Sequence, residues 1–95
     1  MNEPHEVFEH LIALRVILLR EWRSDLARSV ENILAILDEG QAGSLNEAQG
    51  AWAAMMKFAR GIPDFGVWRE NQEDRLRLNA ELDRHLQAIT RAFGE

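Results

Sequence analysis

Apolar residues in this chain return every third or fourth position, and no run alternates with a period of two. Val7, Leu11, Leu14 and Leu18 form one set, and Leu26, Val30, Ile33 and Leu37 a second. Leu45, Ala48, Trp52, Met55 and Ala59 form a third, and Leu78, Leu82, Leu86, Ile89 and Phe93 the last. Spacings of three and four return a side chain to one face of an α-helix, whereas a half-buried strand needs alternation. The pattern therefore predicts an all-α fold. In a chain of 95 residues that means a single helical domain spanning 1–95. Four core-facing stripes predict a compact antiparallel bundle of about four helices with short connections.

The first two sets could share one rod from residue 3 to 39, roughly 55 Å long at 1.5 Å per residue. A compact domain of this length is only about 30–35 Å across. A break is therefore expected within "REWRSD", residues 20–25, with Ser24 capping the second helix and Asp25 favourable against its N-terminal dipole. A long helix stabilised in a dimer is the competing reading. Gly40 suits a left-handed C-cap. Ser44 and Glu47 have the spacing of a capping box. Arg60 and Gly61 should end the third helix, with Pro63 just beyond. The last helix is capped either by Asn71 or, starting near Phe65, by Asp64. The first helix is apolar nearly all round between Leu11 and Leu19, so it should be central. Gly50 inside the third helix suggests a close helix crossing.

Composition excludes several functions. The chain has no cysteine, which rules out disulfides and thiolate zinc sites. Sixteen acids against eleven bases give a net charge of -5, which argues against binding a nucleic-acid backbone. It suits a cationic partner, or simply solubility. "MNEPHEVFEH" has no basic segment followed by an apolar run, so no signal peptide is expected. The most apolar stretch, residues 11–19, contains Arg15 and is less than half the roughly twenty residues a membrane crossing needs.

"GIPDFGVW", residues 61–68, interrupts the helical pattern. Its Asp-Phe-Gly carries a magnesium-binding Asp in protein kinases, but only within an ATP-binding lobe with a strand lysine and a catalytic loop, none of which is present. The segment reads instead as a cap. Pro63 fixes one dihedral, Asp64 can bond back to the chain, and Gly66 permits an unusual conformation. Ile62, Phe65 and Val67 would fold inward, with Trp68 either joining them or staying partly exposed. Trp22, at the expected break, is in the same position: both tryptophans either seal the bundle ends or present an interface anchor.

Catalytic and metal constellations are missing from the pattern. His5 and His10 lie about 140° apart on a helix. Glu6 with His10 and Glu81 with His85 have ion-pair spacing rather than the Glu-x-x-His spacing of carboxylate-bridged metal bundles. Ser24, Ser29, Ser44 and Thr90 lack any nucleophile motif, and no Walker loop is present. No enzyme activity, metal or cofactor is expected.

"LLREW", "LARSVENILAILDEG", "LNEAQGAWAAM", "GIPDFG" and "LNAELDRHLQAI" cover residues 18–89 discontinuously. Their order resembles a family of small helical bacterial proteins of uncharacterised function. Such acidic, cysteine-free proteins look like immunity proteins encoded beside interbacterial toxins. The resemblance implies a stoichiometric inhibitor in the producing cell's cytoplasm that masks a toxin's active site. A toxin with a basic cleft would accept an acidic face, with association hastened by electrostatic steering. The expected partner-binding residues are Asp38, Glu39, Glu47, Glu70, Glu73 and Asp74 along one acidic edge, with Asp64, Phe65 and Trp68 as a neighbouring anchor. The alternative is a self-associating structural or regulatory bundle, a weak homodimer favoured by the apolar first helix.

Overall fold

The computed structural model describes residues 4–58 and 61–94. These form four α-helices: α1 (Pro4–Arg20), α2 (Ser24–Glu39), α3 (Ser44–Lys57) and α4 (Gln72–Ala92). A 3-10 turn, Ile62–Asp64, lies between α3 and α4. No residue of the described chain is in a strand. The bundle measures 46 × 26 × 19 Å. It is longer than a sphere of this chain length because its helices lie side by side as a cylinder.

α1 is the central element, packed against both α2 and α4. Val7, Leu11, Leu14 and Leu18 form its buried face, joined by Ile17. α2 contributes Leu26, Ala27, Val30, Ile33 and Ile36, and α4 contributes Leu82, Leu86 and Ile89. Each helix runs antiparallel to the one before it. Between α3 and α4 this is visible in the pairings: Gln49 donates to the Phe93 carbonyl, and the Trp52 ring N–H donates to Thr90 Oγ1 at 3.0 Å. Trp52 is thus fully buried without an unpaired polar atom.

α1 and α4 are joined by a contact between two histidines. The Nδ1 atoms of His10 and His85 are 2.9 Å apart, and the rings are tilted by 56°. The ion pairs expected of Glu6 with His10 and of Glu81 with His85 do not form among the described residues. Each histidine instead turns toward the other helix. His5 has no described side chain.

The α1–α2 break falls within residues 20–25 as the length mismatch requires, but Ser24 does not cap α2. Arg23 is the N-cap residue and makes no side-chain cap bond; Ser24 is the first helical residue. The Ser44–Glu47 capping box is also absent. Gly43, at φ 92°, holds the cap position, and the Ser44 hydroxyl accepts from the Gln41 amide at 3.1 Å. The serine thus closes the preceding turn rather than the helix start. α3 stops at Lys57 because Phe58 turns extended, at φ -73° and ψ 139°; Ala59 and Arg60 lie outside the described residues. Leu45, expected in the core, is exposed. Gly50 faces open space, so it marks no close crossing. Asn71 caps α4, its side-chain oxygen accepting from the Asp74 amide at 3.0 Å.

The first two connections are short. The third is longer, and its residues 61–71 fold over the end of the bundle as a structured cap. Gly61 sits so close to α3 that a Cβ there would stand 2.2 Å from the Met55 carbonyl oxygen. Ile62 and Val67 are buried, and Phe65 is half-buried against the core. Gly66 is outside the left-handed region, so it does not supply the unusual conformation expected of it. Asn79 of α4 holds the cap in place. Its side-chain nitrogen donates to the carbonyls of Val67 and Arg75, each at 2.8 Å. Its oxygen accepts from the Val67 amide at 3.0 Å.

Candidate functional site

α1, α2 and α4 each finish near a residue in the left-handed conformation: Trp22 (φ 63°), Gly40 (φ 64°) and Gly94 (φ 84°). Glycine is the usual occupant because it lacks the Cβ that clashes there. Trp22 alone departs from this. The Arg23 amide reaches back to the Leu18 carbonyl at 2.8 Å, and the Trp22 amide to the Leu19 carbonyl at 3.1 Å. These two bonds are the paired closures of a Schellman helix end, with tryptophan in the position glycine normally takes. A left-handed residue with a side chain costs about 1–2 kcal/mol. The indole gains nothing in return from this chain: Trp22 is 91% exposed.

The residues flanking Trp22 tie α1 to the cap. The Glu21 carboxylate accepts from both terminal nitrogens of Arg69, at 2.7 and 2.9 Å. It also accepts from Arg20 at 3.1 Å. This arrangement, led by the Arg69 bond, holds the Glu21 carboxyl below the usual glutamate range even though the side chain is largely buried. Arg23 binds Asp25 through two bonds of 3.1 Å and reaches Asp64 of the cap at 3.5 Å. Trp68, next to Arg69, is 68% exposed. Its ring lies under the Arg75 guanidinium, 4.6 Å from centroid to carbon. Arg75 in turn donates to the Arg69 carbonyl at 3.1 Å. Trp22 and Trp68 are therefore neighbours in sequence of the two members of one ion pair. They occupy the same end of the bundle, both turned to solvent.

The acidic residues expected along one edge are divided between two ends. Asp64, Glu70, Glu73 and Asp74 are exposed at the tryptophan end. Asp38 and Glu39 close α2 and Glu47 begins α3, about 20 Å away along α2 at 1.5 Å per residue. The two groups do not form one continuous face. Among the described residues no ion pair involves Glu70 or Glu73, whereas Asp64 faces Arg23 and Asp74 faces Arg77. Phe65 serves the core more than the surface.

Elsewhere, an open groove of about 720 Å³ runs between α2 and α3 over Leu26, Ala51, Ala54 and Met55, with Phe58 at its end. Its charged lining residues, Asp25 and Arg28, do not converge on a reacting position. Among the described residues no three His, Asp or Glu side chains gather as metal ligands. No described helix is long and apolar enough to cross a membrane. Compared with known protein families, with curated proteins and with solved structures, the chain matches none.

Proposed function

We propose that this chain is a non-catalytic binding protein whose partner is another protein, docked on the end that carries Trp22 and Trp68. The observation behind this reading is Trp22: a large apolar side chain kept in solvent on a backbone conformation that disfavours it. Backbone strain of this kind clusters at active sites and ligand contacts. Tryptophan is a frequent anchor at protein interfaces. Trp68 and the cap widen the surface, and Glu70 and Glu73 bias it toward a basic partner. An immunity protein that masks the basic cleft of a toxin fits these properties, and it is the specific form of the reading we favour.

The test is capture from the native host with wild-type, Trp22→Ala, Trp68→Ala and Gln87→Ala baits, followed by mass spectrometry and binding kinetics on the recovered protein. Either tryptophan substitution should weaken binding by at least tenfold, while Gln87→Ala, on an exposed part of α4, should not. Glu73→Lys should slow association, with a smaller effect at high salt. A partner that binds both tryptophan variants as tightly as wild type would place the interface elsewhere and end this reading.

A further inference from the structure

α1 carries a second exposed apolar surface. Ile12, Val16 and Leu19 are each about half exposed. At about 100° per residue they fall within one stripe some 60° wide, opposite the buried row of Leu11, Leu14 and Leu18. The stripe is bordered on one flank by two charges of opposite sign, Glu9 near one end and Arg20 near the other. Glu9 makes no ion pair among the described residues. Among the described residues the one ion pair of Arg20 is with Glu21, which Arg69 already holds more closely. On the other flank Arg15 is neutralised by Glu31 of α2 at 3.3 Å.

From this stripe we infer that α1 binds α1 of a second copy of the chain, antiparallel, about a two-fold axis beside Val16. Two properties select this occupant. First, the pattern is self-complementary. With the axis midway between residues 15 and 16, Ile12 of each copy meets Leu19 of the other, and the two Val16 side chains meet at the centre. Second, the charges match. In an antiparallel helix pair the same flank of each helix faces its counterpart, so Glu9 faces the stretch that holds Arg20 in the second copy. The two are offset by two residues, about 3 Å of rise, within reach of their long side chains. A parallel pairing would instead set this flank against the other one, where Arg15 is already neutralised by Glu31, and would leave Glu9 and Arg20 without each other. A closed two-fold contact of this kind uses one patch twice and stops at a dimer. Two single helices bury less than a standard interface, so association should be visible at tens to hundreds of micromolar protein.

Sedimentation velocity across about 5 µM to 1 mM tests the inference, with circular dichroism confirming that each variant is folded. Wild type should pass from monomer to dimer over this range. Val16→Glu should abolish the dimer. Glu9→Arg and Arg20→Glu should each weaken it at least fivefold, and the double variant should restore most of the loss. A chain that stays monomeric at 1 mM overturns the inference, as does a dimer insensitive to Val16→Glu. If both single charge reversals weaken the dimer and the double variant does not recover it, the antiparallel register is wrong. A monomer whose stripe instead binds neutral lipid vesicles would assign the surface to a membrane and likewise refute the dimer.

Discussion

His10 and His85 meet Nδ1 to Nδ1 at 2.9 Å across the interface between α1 and α4. At that separation one ring nitrogen must accept while the other donates, so at least one imidazole is neutral. Burial is the main reason the His85 imidazole lies below the usual histidine range; the His10 and Arg84 charges add to it, and Glu81 opposes it. The unfolded chain, with an ordinary value of about 6.5, therefore binds more protons than the folded one as pH falls through that range. The stability this pair contributes is intact above about pH 6.5 and is lost as pH drops through the folded value of His85. The slope is at most about 1.4 kcal/mol per pH unit for one proton. Urea denaturation at intervals from pH 8 to pH 5 should show this loss in wild type and a flatter profile in His85→Leu. A wild-type profile already flat between pH 7 and 5 would remove the histidine pair as a proton-sensitive contact.

Trp22→Gly should stabilise the protein and weaken it as a binder. Relief of the left-handed conformation is worth about 1–2 kcal/mol. The extra freedom of glycine in the unfolded chain takes back roughly 0.5–1 kcal/mol. Little packing is lost, because the indole is almost fully exposed, so a net gain of a few tenths to about 1 kcal/mol should remain. Trp22→Ala keeps the strain and should show no such gain. Chemical denaturation of the three proteins measures the difference.

Gly61→Ala should destabilise the cap and with it the bundle. The added methyl group would collide with the backbone of Met55, which cannot turn aside as a side chain could. Overpacking of this kind costs about 1–3 kcal/mol, occasionally more. A thermal melt unchanged from wild type would mean that the cap can lift from α3 without consequence.

Asn79→Asp keeps the shape of the side chain and replaces its two-fold donor with an acceptor. The carbonyls of Val67 and Arg75 would then face an oxygen rather than an N–H. Leaving such groups unpaired costs on the order of 1–3 kcal/mol. Hydrogen exchange should show the Val67 amide, which bonds the same side chain, opening sooner than in wild type. Exchange confined to wild-type rates would show that the clamp is redundant.

The helices were legible because their information is local. Periodicity predicts all four helices and most of their buried positions, with Leu45 the exception, exposed at the start of α3, and the length of a single rod demands the break that Trp22 and Arg23 make. The caps were less legible, because serine closes a turn as readily as a helix start. Ser44 bonds back to Gln41, and nothing in its neighbours announces the choice. Pairings between distant positions were not legible at all. His10 and His85 each had a carboxylate one turn away on its own helix, and sequence spacing favours such neighbours; only the packing of α1 on α4 brings the two rings together. The same holds for Glu21 with Arg69 and for Asn79 with Val67. The acidic edge fails for a related reason: its residues lie close in sequence to two different connections, and those connections lie at opposite ends of the bundle. Trp22 could have been suspected from one signal, a helix end with no glycine to take the left-handed position.

The antiparallel course of α1 and α4 puts Pro4 and Gly94 at one pole of the bundle and the two exposed tryptophans at the other. The turn from Gly40 to Gly43 lies at the first pole as well, since α2 ends and α3 begins there. A fluorophore or linkage attached beside Pro4, beside Gly94 or in the turn from Gly40 to Gly43 stands a full helix length away from Trp22. An insertion between Gln41 and Ala42 would fall in that turn, leaving every helix whole and the tryptophan pole untouched.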